Sequence, residues 1–171
     1  ALTGSGTFSD TTVHFADNTG AIRLTRLRTQ IAAGDSVRLR ATTATRDGLP
    51  TLDDVTATAL GRGLPPAVVT LTTVEAATAG GGAHDAALAV VRGATIGGTA
   101  TVEGNFQLTV SDGSGNLVVE LDRAADARFQ AGSLPGAYIL GSKFDAIGVL
   151  VSSGGVWHLK PRSAADVTEI P

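Results

Sequence analysis

A chain of 171 residues holds one large domain or two small ones; its 43% apolar share comes mainly from Ala, Val, Leu and Ile, with 4% aromatics, 22 glycines and many threonines. That mixture favours strands and tight turns over long helices. There is no cysteine, which excludes disulfides and thiolate metal sites, and the net charge of −3 weighs against a dedicated nucleic-acid binder, whose phosphate contacts require a cationic excess. The longest apolar run, Ala146 to Val151, falls far short of the roughly 18 residues of a membrane-spanning helix. With no methionine in the sequence, Ala1 is expected to follow a cleavage site, a removed signal peptide being the simplest cause, so secretion is expected.

The first predicted element is a hairpin. Val13, Phe15, Ile22 and Leu24 recur with a period of two on either side of Asp17-Asn18-Thr19-Gly20, which predicts two half-buried strands joined by a tight turn. Asp17 is expected to accept hydrogen bonds from turn amides, and Gly20 to take a positive φ where the second strand begins. Further on, Arg26, Arg28, Arg38 and Arg40 alternate with Leu27, Val37 and Leu39. Period two predicts that these arginines share one outward face of two strands, a candidate surface for assembly or for a polyanion. A merely solvated strand face is the other reading of the same residues. Gly48 to Leu52 and then Asp54-Val55-Thr56 predict the last strands of this unit.

Leu64-Pro65-Pro66 ends the first unit, because two prolines exclude both helix and central strand. Residues 67–72 read as an extended arm. Residues 73–79 can form a short helix capped by Thr73 and ended by Gly80-Gly81-Gly82. A second hairpin then aligns without a gap on the first: residues 13, 15, 22 and 24 fall on apolar 108, 110, 117 and 119, and Asp17 and Gly20 fall on Asp112 and Gly115. A turn near Asp122 to Arg128, a strand over Ala146 to Val151, another over Gly155 to Leu159 and Asp166-Val167-Thr168 complete the second copy. The expected division is a barrel over 1–63, a connector over 64–85 and a barrel over 86–171. At this offset the first unit lacks any counterpart of Ala86 to Ala94. Its short opening strand leaves backbone groups unpaired unless the 67–72 arm, in this molecule or a neighbour, adds a strand there; a barrel left open is the alternative.

Five strands per copy, with a longer connection between the third and fourth, predict an all-β fold. It consists of two tandem five-stranded Greek-key barrels of the oligonucleotide/oligosaccharide-binding (OB) type with one short connector helix. The run from Ala94 through Phe106 to Val119 resembles the OB-like modules of secreted bacterial proteins, including those attached to extracellular nucleases. The resemblance covers most of 86–171 and, more weakly, 1–60. It implies a binding or assembly module and brings no catalytic residue with it.

Nothing in the sequence has the spacing of a catalytic or metal site. His14, His84 and His158 are widely separated, without zinc-ligand spacing, and are expected to be surface or partly buried side chains. Asp112 to Asn116 superficially resembles the start of a calcium loop, but Leu117 stands where the turn glycine belongs and no Glu closes the loop. No Asp immediately precedes a Thr-Gly or Ser-Gly, and there is no GxSxG elbow or phosphate-binding glycine loop. No enzyme activity, metal or cofactor is therefore expected. Residues 1–60 carry six Arg against six Asp, whereas residues 64–171 carry six basic against ten acidic residues. That asymmetry, with the missing strand, points to a non-catalytic extracellular module that assembles head-to-tail with copies of itself into a filament or surface polymer. The alternative is an accessory OB module for single-stranded nucleic acid or glycan, for which the usual aromatic stacking platform is missing.

Overall fold

The computed structural model describes residues 1–25, 27–46, 48–64, 66–129 and 138–171. In the N-terminal half, β1 (Val13–Ala16) and β2 (Ala21–Leu24) form an antiparallel hairpin, and β3 (Asp35–Arg46) and β4 (Leu49–Arg62) form a longer one. The sheet order is β1-β2-β4-β3, with β2 and β4 parallel. Val13 and Phe15 enter a core with Leu24, Ile31 and Ala57. The two faces of β1 are both covered, because His14 on its other side is also fully buried.

The C-terminal half begins with β5 (Val69–Thr70) and α1 (Thr73–Ala76). There follow β6 (Leu88–Val102), β7 (Asn105–Ser111), β8 (Leu117–Leu121), β9 (Lys143–Ser153), β10 (Val156–Lys160) and β11 (Val167–Ile170). Five of these close a ring, β6-β7-β8-β10-β9 and back to β6, with β8 and β10 parallel and the other neighbours antiparallel. This is the strand order of an OB barrel. β6 serves two partners by bending at a bulge between Val91 and Ala94, where Gly93 takes φ 60°, so that its first half pairs β9 and its second half pairs β7. Inside the ring Val91, Ile96, Leu108, Val119, Leu150 and Leu159 are at most 1% exposed.

The two hairpins pair in the same register: Val13 faces Leu24 and Phe15 faces Ile22, as Leu108 faces Val119 and Val110 faces Leu117. Among the described residues the N-terminal half has four strands where five were expected, in a sheet whose outer strands β1 and β3 are not paired to each other. β4 is one 14-residue strand with Asp54 at φ 52° in a bulge, whereas its counterpart is split into β10 and β11. Because Leu39 faces Ala57 and Ala146 faces Val167, Ala57 rather than Val55 takes the place of Val167.

The connector also differs from expectation. Thr72, not Thr73, caps α1, in a reciprocal capping box with Glu75; Thr73 instead donates its hydroxyl to Asp112 and to the Gly115 carbonyl. The arm pairs in parallel with β6 at Val69 and Thr70, so in this molecule it extends the C-terminal sheet rather than the N-terminal one.

Candidate functional site

The start of the N-terminal sheet can be matched to the C-terminal barrel bond by bond. In the C-terminal barrel the Ile96 amide donates to the Ser142 carbonyl at 3.0 Å and the Gly141 amide to the Ile96 carbonyl at 2.9 Å. In the N-terminal half the Ala1 nitrogen donates to the Asp35 carbonyl at 2.6 Å and the Gly34 amide to the Ala1 carbonyl at 2.9 Å. Ala1 thus stands where Ile96 stands, and Leu2 and Thr3 run beside His14 of β1 as Gly98 runs beside Thr109. What precedes Ile96 is the stretch Leu88 to Thr95, paired to β9 from Val149 to Lys143. The equivalent edge of β3, Ser36 to Thr42, has no strand beside it among the described residues.

That edge borders a groove of about 600 Å³, walled by Phe15, Ala16 and Ile22 on one side and Ser36, Val37 and Leu39 on the other. Val37 and Leu39 are only half-buried, whereas Phe144 and Ala146 at the same places in the C-terminal barrel are 2% and 0% exposed. The difference is the covering given by Leu88 to Ala94. Apolar side chains and unpaired backbone groups at one edge are the features that an added strand satisfies together.

Arg28, Arg38 and Arg40 do not share one face of two strands. Arg38 and Arg40 are exposed at alternate positions of β3, opposite Thr58 and Thr56. They occupy the places of Asp145 and Ile147, directly beside the open edge. β2 stops at Leu24, because the segment that follows is tied to the N-terminal strand end by Ser5, whose hydroxyl donates to the Thr29 carbonyl and whose amide donates to Ile31. Arg28 therefore lies in a separate recess of about 500 Å³ with Arg46, Asp53 and Asp54. Arg26 lies outside the described residues.

The turn aspartates act on backbone amides. Asp17 accepts from the Thr19 and Gly20 amides; Asp112 accepts from the Ser114 amide and also from the Thr73 amide and hydroxyl, joining the hairpin to α1. Gly20 and Gly115 do not have positive φ. At Gly115 the constraint is contact, since a Cβ there would lie 3.0 Å from the Val74 side chain. Four donors reach Asp112 in this joint.

A charged cluster not anticipated from sequence fastens the halves together. Lys160, 3% exposed, places Nζ 3.1 Å from Asp10, 3.2 Å from Glu120 and 3.1 Å from Asp122, and lies 4.6 Å from the centre of the Phe8 ring. Asp122 also accepts from the Ser9 amide and hydroxyl, so residues 8–10 are held on the β8–β10 surface. Burial works to raise the Glu120 carboxyl, but the His158 hydrogen bond at 2.7 Å and the Lys160 charge override it and hold it at about 2. Burial likewise works against the Lys160 ammonium, and the three carboxylates more than offset it, raising its pKa. His14 and His158, expected at the surface or partly buried, are both buried; burial pushes His14 down to about 3, and both its ring nitrogens lack partners. The sequence signal was present in Glu120 and Lys160, charged residues within otherwise apolar strands, and in Asp122 directly after one of them. Among the described residues no three His, Asp or Glu side chains converge as metal ligands, and no helix is long and apolar enough to cross a membrane.

No family model and no curated protein matches the chain. Among solved structures it is similar to a chain of the S. pombe Stn1-Ten1 complex, at 23% identity over 48% of this chain and 57% of that one, with a TM-score of 0.41. It is also similar to the OBody AM1L10 bound to hen egg-white lysozyme (14% identity, 64% and 97% covered, TM-score 0.42) and to a murine DNA binding protein bound with double-stranded DNA (8%, 93% and 83%, 0.36). The chain spans a little over half the length of the Stn1-Ten1 chain that it matches.

Proposed function

We propose that this chain is a non-catalytic assembly module that joins head-to-tail with copies of itself in an extracellular filament or surface polymer. The observation that carries this reading is the exposed pair Arg38 and Arg40 at the β3 edge, a basic surface in one half of a chain whose other half is acidic. The uneven charge of the two halves supports it, since contact between unlike surfaces gives open chains when the rotation does not close. Light scattering across a dilution series tests it, with negative-stain microscopy of the concentrated sample. The expected result is a mass that rises with concentration and elongated particles; a monomer of constant mass throughout contradicts it.

A second reading has a place on the C-terminal barrel. A recess of about 630 Å³ lies on the β7–β8 surface between the turns at 103–104 and 154–155 and is lined by polar side chains, among them Asn105, Gln107, Glu120 and His158. OB barrels hold oligonucleotides or oligosaccharides on this surface. Here it is partly walled by Ser9, Asp10 and Thr12 and carries carboxylates already committed to Lys160, so a neutral glycan suits it better than a polyanion. Titration with neutral oligosaccharides and with single-stranded oligonucleotides at low salt separates the cases; binding that falls on Gln107→Ala supports this reading, and no binding of either class removes it.

A further inference from the structure

Resting on the second reading above, that the recess takes a neutral glycan, we infer that the N-terminal half is part of that site: the His14 ring and the Arg23 Nε group bind a hydroxyl of the saccharide that Gln107 holds from the opposite side. The recess belongs to both copies of the repeat. Thr12, His14 and Arg23 border it from one hairpin, and Asn105, Gln107 and Glu120 from the other. Thr12 and Gln107 are equivalent in the gapless alignment of the hairpins, so the same outward face of each copy turns onto one space.

His14 and Arg23 are 0% and 8% exposed and stand directly opposite one another across β1 and β2, which places their side chains next to each other on one face. The Arg23 Nη2 is fixed by the Arg46 carbonyl at 2.8 Å. Its Nε and both ring nitrogens of His14 have no hydrogen-bond partner. A buried polar group left without a partner carries its full desolvation cost, so a ligand atom that supplies the partner is favoured there.

The chemistry of these atoms selects the ligand. Burial holds the His14 imidazole neutral, so its ring offers one donor and one acceptor, and the Arg23 Nε–H is a donor. A hydroxyl both gives and takes a hydrogen bond: it can accept from Arg23 while donating to the ring. A phosphate oxygen only accepts and leaves the ring acceptor unmet. The remaining lining agrees, because Asp10, Glu103 and Glu120 are matched by Arg23, Arg123 and Lys160, and a polyanion gains no net attraction. Since the three unpartnered atoms are closed off from solvent in the free protein, the saccharide meets them through a local shift of the recess wall, which changes the surroundings of the His14 ring.

The test uses the whole protein, labelled with nitrogen-15, with cellohexaose, maltohexaose and chitohexaose as neutral probes and an oligothymidylate at low salt. Binding of at least one saccharide is expected in calorimetry, weakened several-fold by Gln107→Ala and also by His14→Leu and by Arg23→Lys. In the wild-type protein the imidazole nitrogen signals of His14 are expected to shift on titration with that saccharide, a readout that holds even where a variant fails to fold. If Gln107→Ala weakens binding while His14→Leu and Arg23→Lys do not, and the ring signals stay in place, the glycan reading stands and the role given to the N-terminal half is wrong. If no saccharide binds, the glycan reading itself fails. Binding of the oligothymidylate alone overturns the choice of a hydroxyl ligand.

Discussion

The two halves of this chain begin from the same hairpin and end differently. In the C-terminal half β6 supplies a strand long enough to bend and meet both β7 and β9, and the ring closes over fully buried aliphatic side chains. In the N-terminal half Ala1 to Thr3 take the place of the middle of that strand, and among the described residues no strand covers the β3 edge, where Val37 and Leu39 are half-buried. The comparison shows that one strand pattern sets the hairpin in both halves, while the burial of the strand opposite it depends on what lies along its edge.

The sharpest way to break this comparison is at the joint between the halves. Lys160→Met leaves Asp10, Glu120 and Asp122 gathered without their cation, and is expected to cost about 3–5 kcal/mol; a loss below about 1 kcal/mol in urea unfolding would show that the cluster does not hold the halves. Core truncation should then separate the halves. Leu108→Ala removes a side chain that is 0% exposed and is expected to cost about 2–5 kcal/mol. Val37→Ala, beside the open groove, is expected to cost less than about 1 kcal/mol in the dilute protein. Equal losses would mean that the N-terminal core is as complete as the other.

Acid provides a third comparison. Folded His14 stays neutral down to about pH 3, whereas the unfolded chain protonates it near its ordinary value of about 6.5. The unfolded state therefore binds more protons in that window, and stability falls as pH drops through it, by about 1.4 kcal/mol per unit. Glu120 adds a loss of the same sign only below its ordinary carboxyl range, so the slope between pH 6.5 and 4.5 reports His14. His14→Leu should flatten it, as read by urea midpoints at pH 5 and pH 6.5; an unchanged slope would contradict the burial of a neutral imidazole. The smallest effect is expected at Arg62, which pairs with Asp35 while 73% exposed. Arg62→Ala should change stability by less than about 1 kcal/mol.

The hairpins and the turn aspartates were legible because they depend on local alternation and on self-comparison within one chain. The arginine face was misread for the opposite reason. Alternation continues past Leu24 in the sequence, but the bonds from Ser5 to Thr29 and Ile31 take that segment out of the sheet, and no local signal announces them. The Lys160 cluster draws on Asp10 and on Glu120 and Asp122, far apart in sequence, so only the assembled strands bring them together. His14 looked like the polar face of a surface strand, yet the covering of that face by residues 2, 3 and 8 buried it.

Hydrogen exchange at the β3 edge tests the central claim most directly. In dilute protein the amides between Ser36 and Thr42 that do not bond to β4 should exchange far faster than their counterparts between Lys143 and Val149, and they should become protected as the protein is concentrated. Protection of the β3 edge that stays the same at every concentration would contradict the account of assembly.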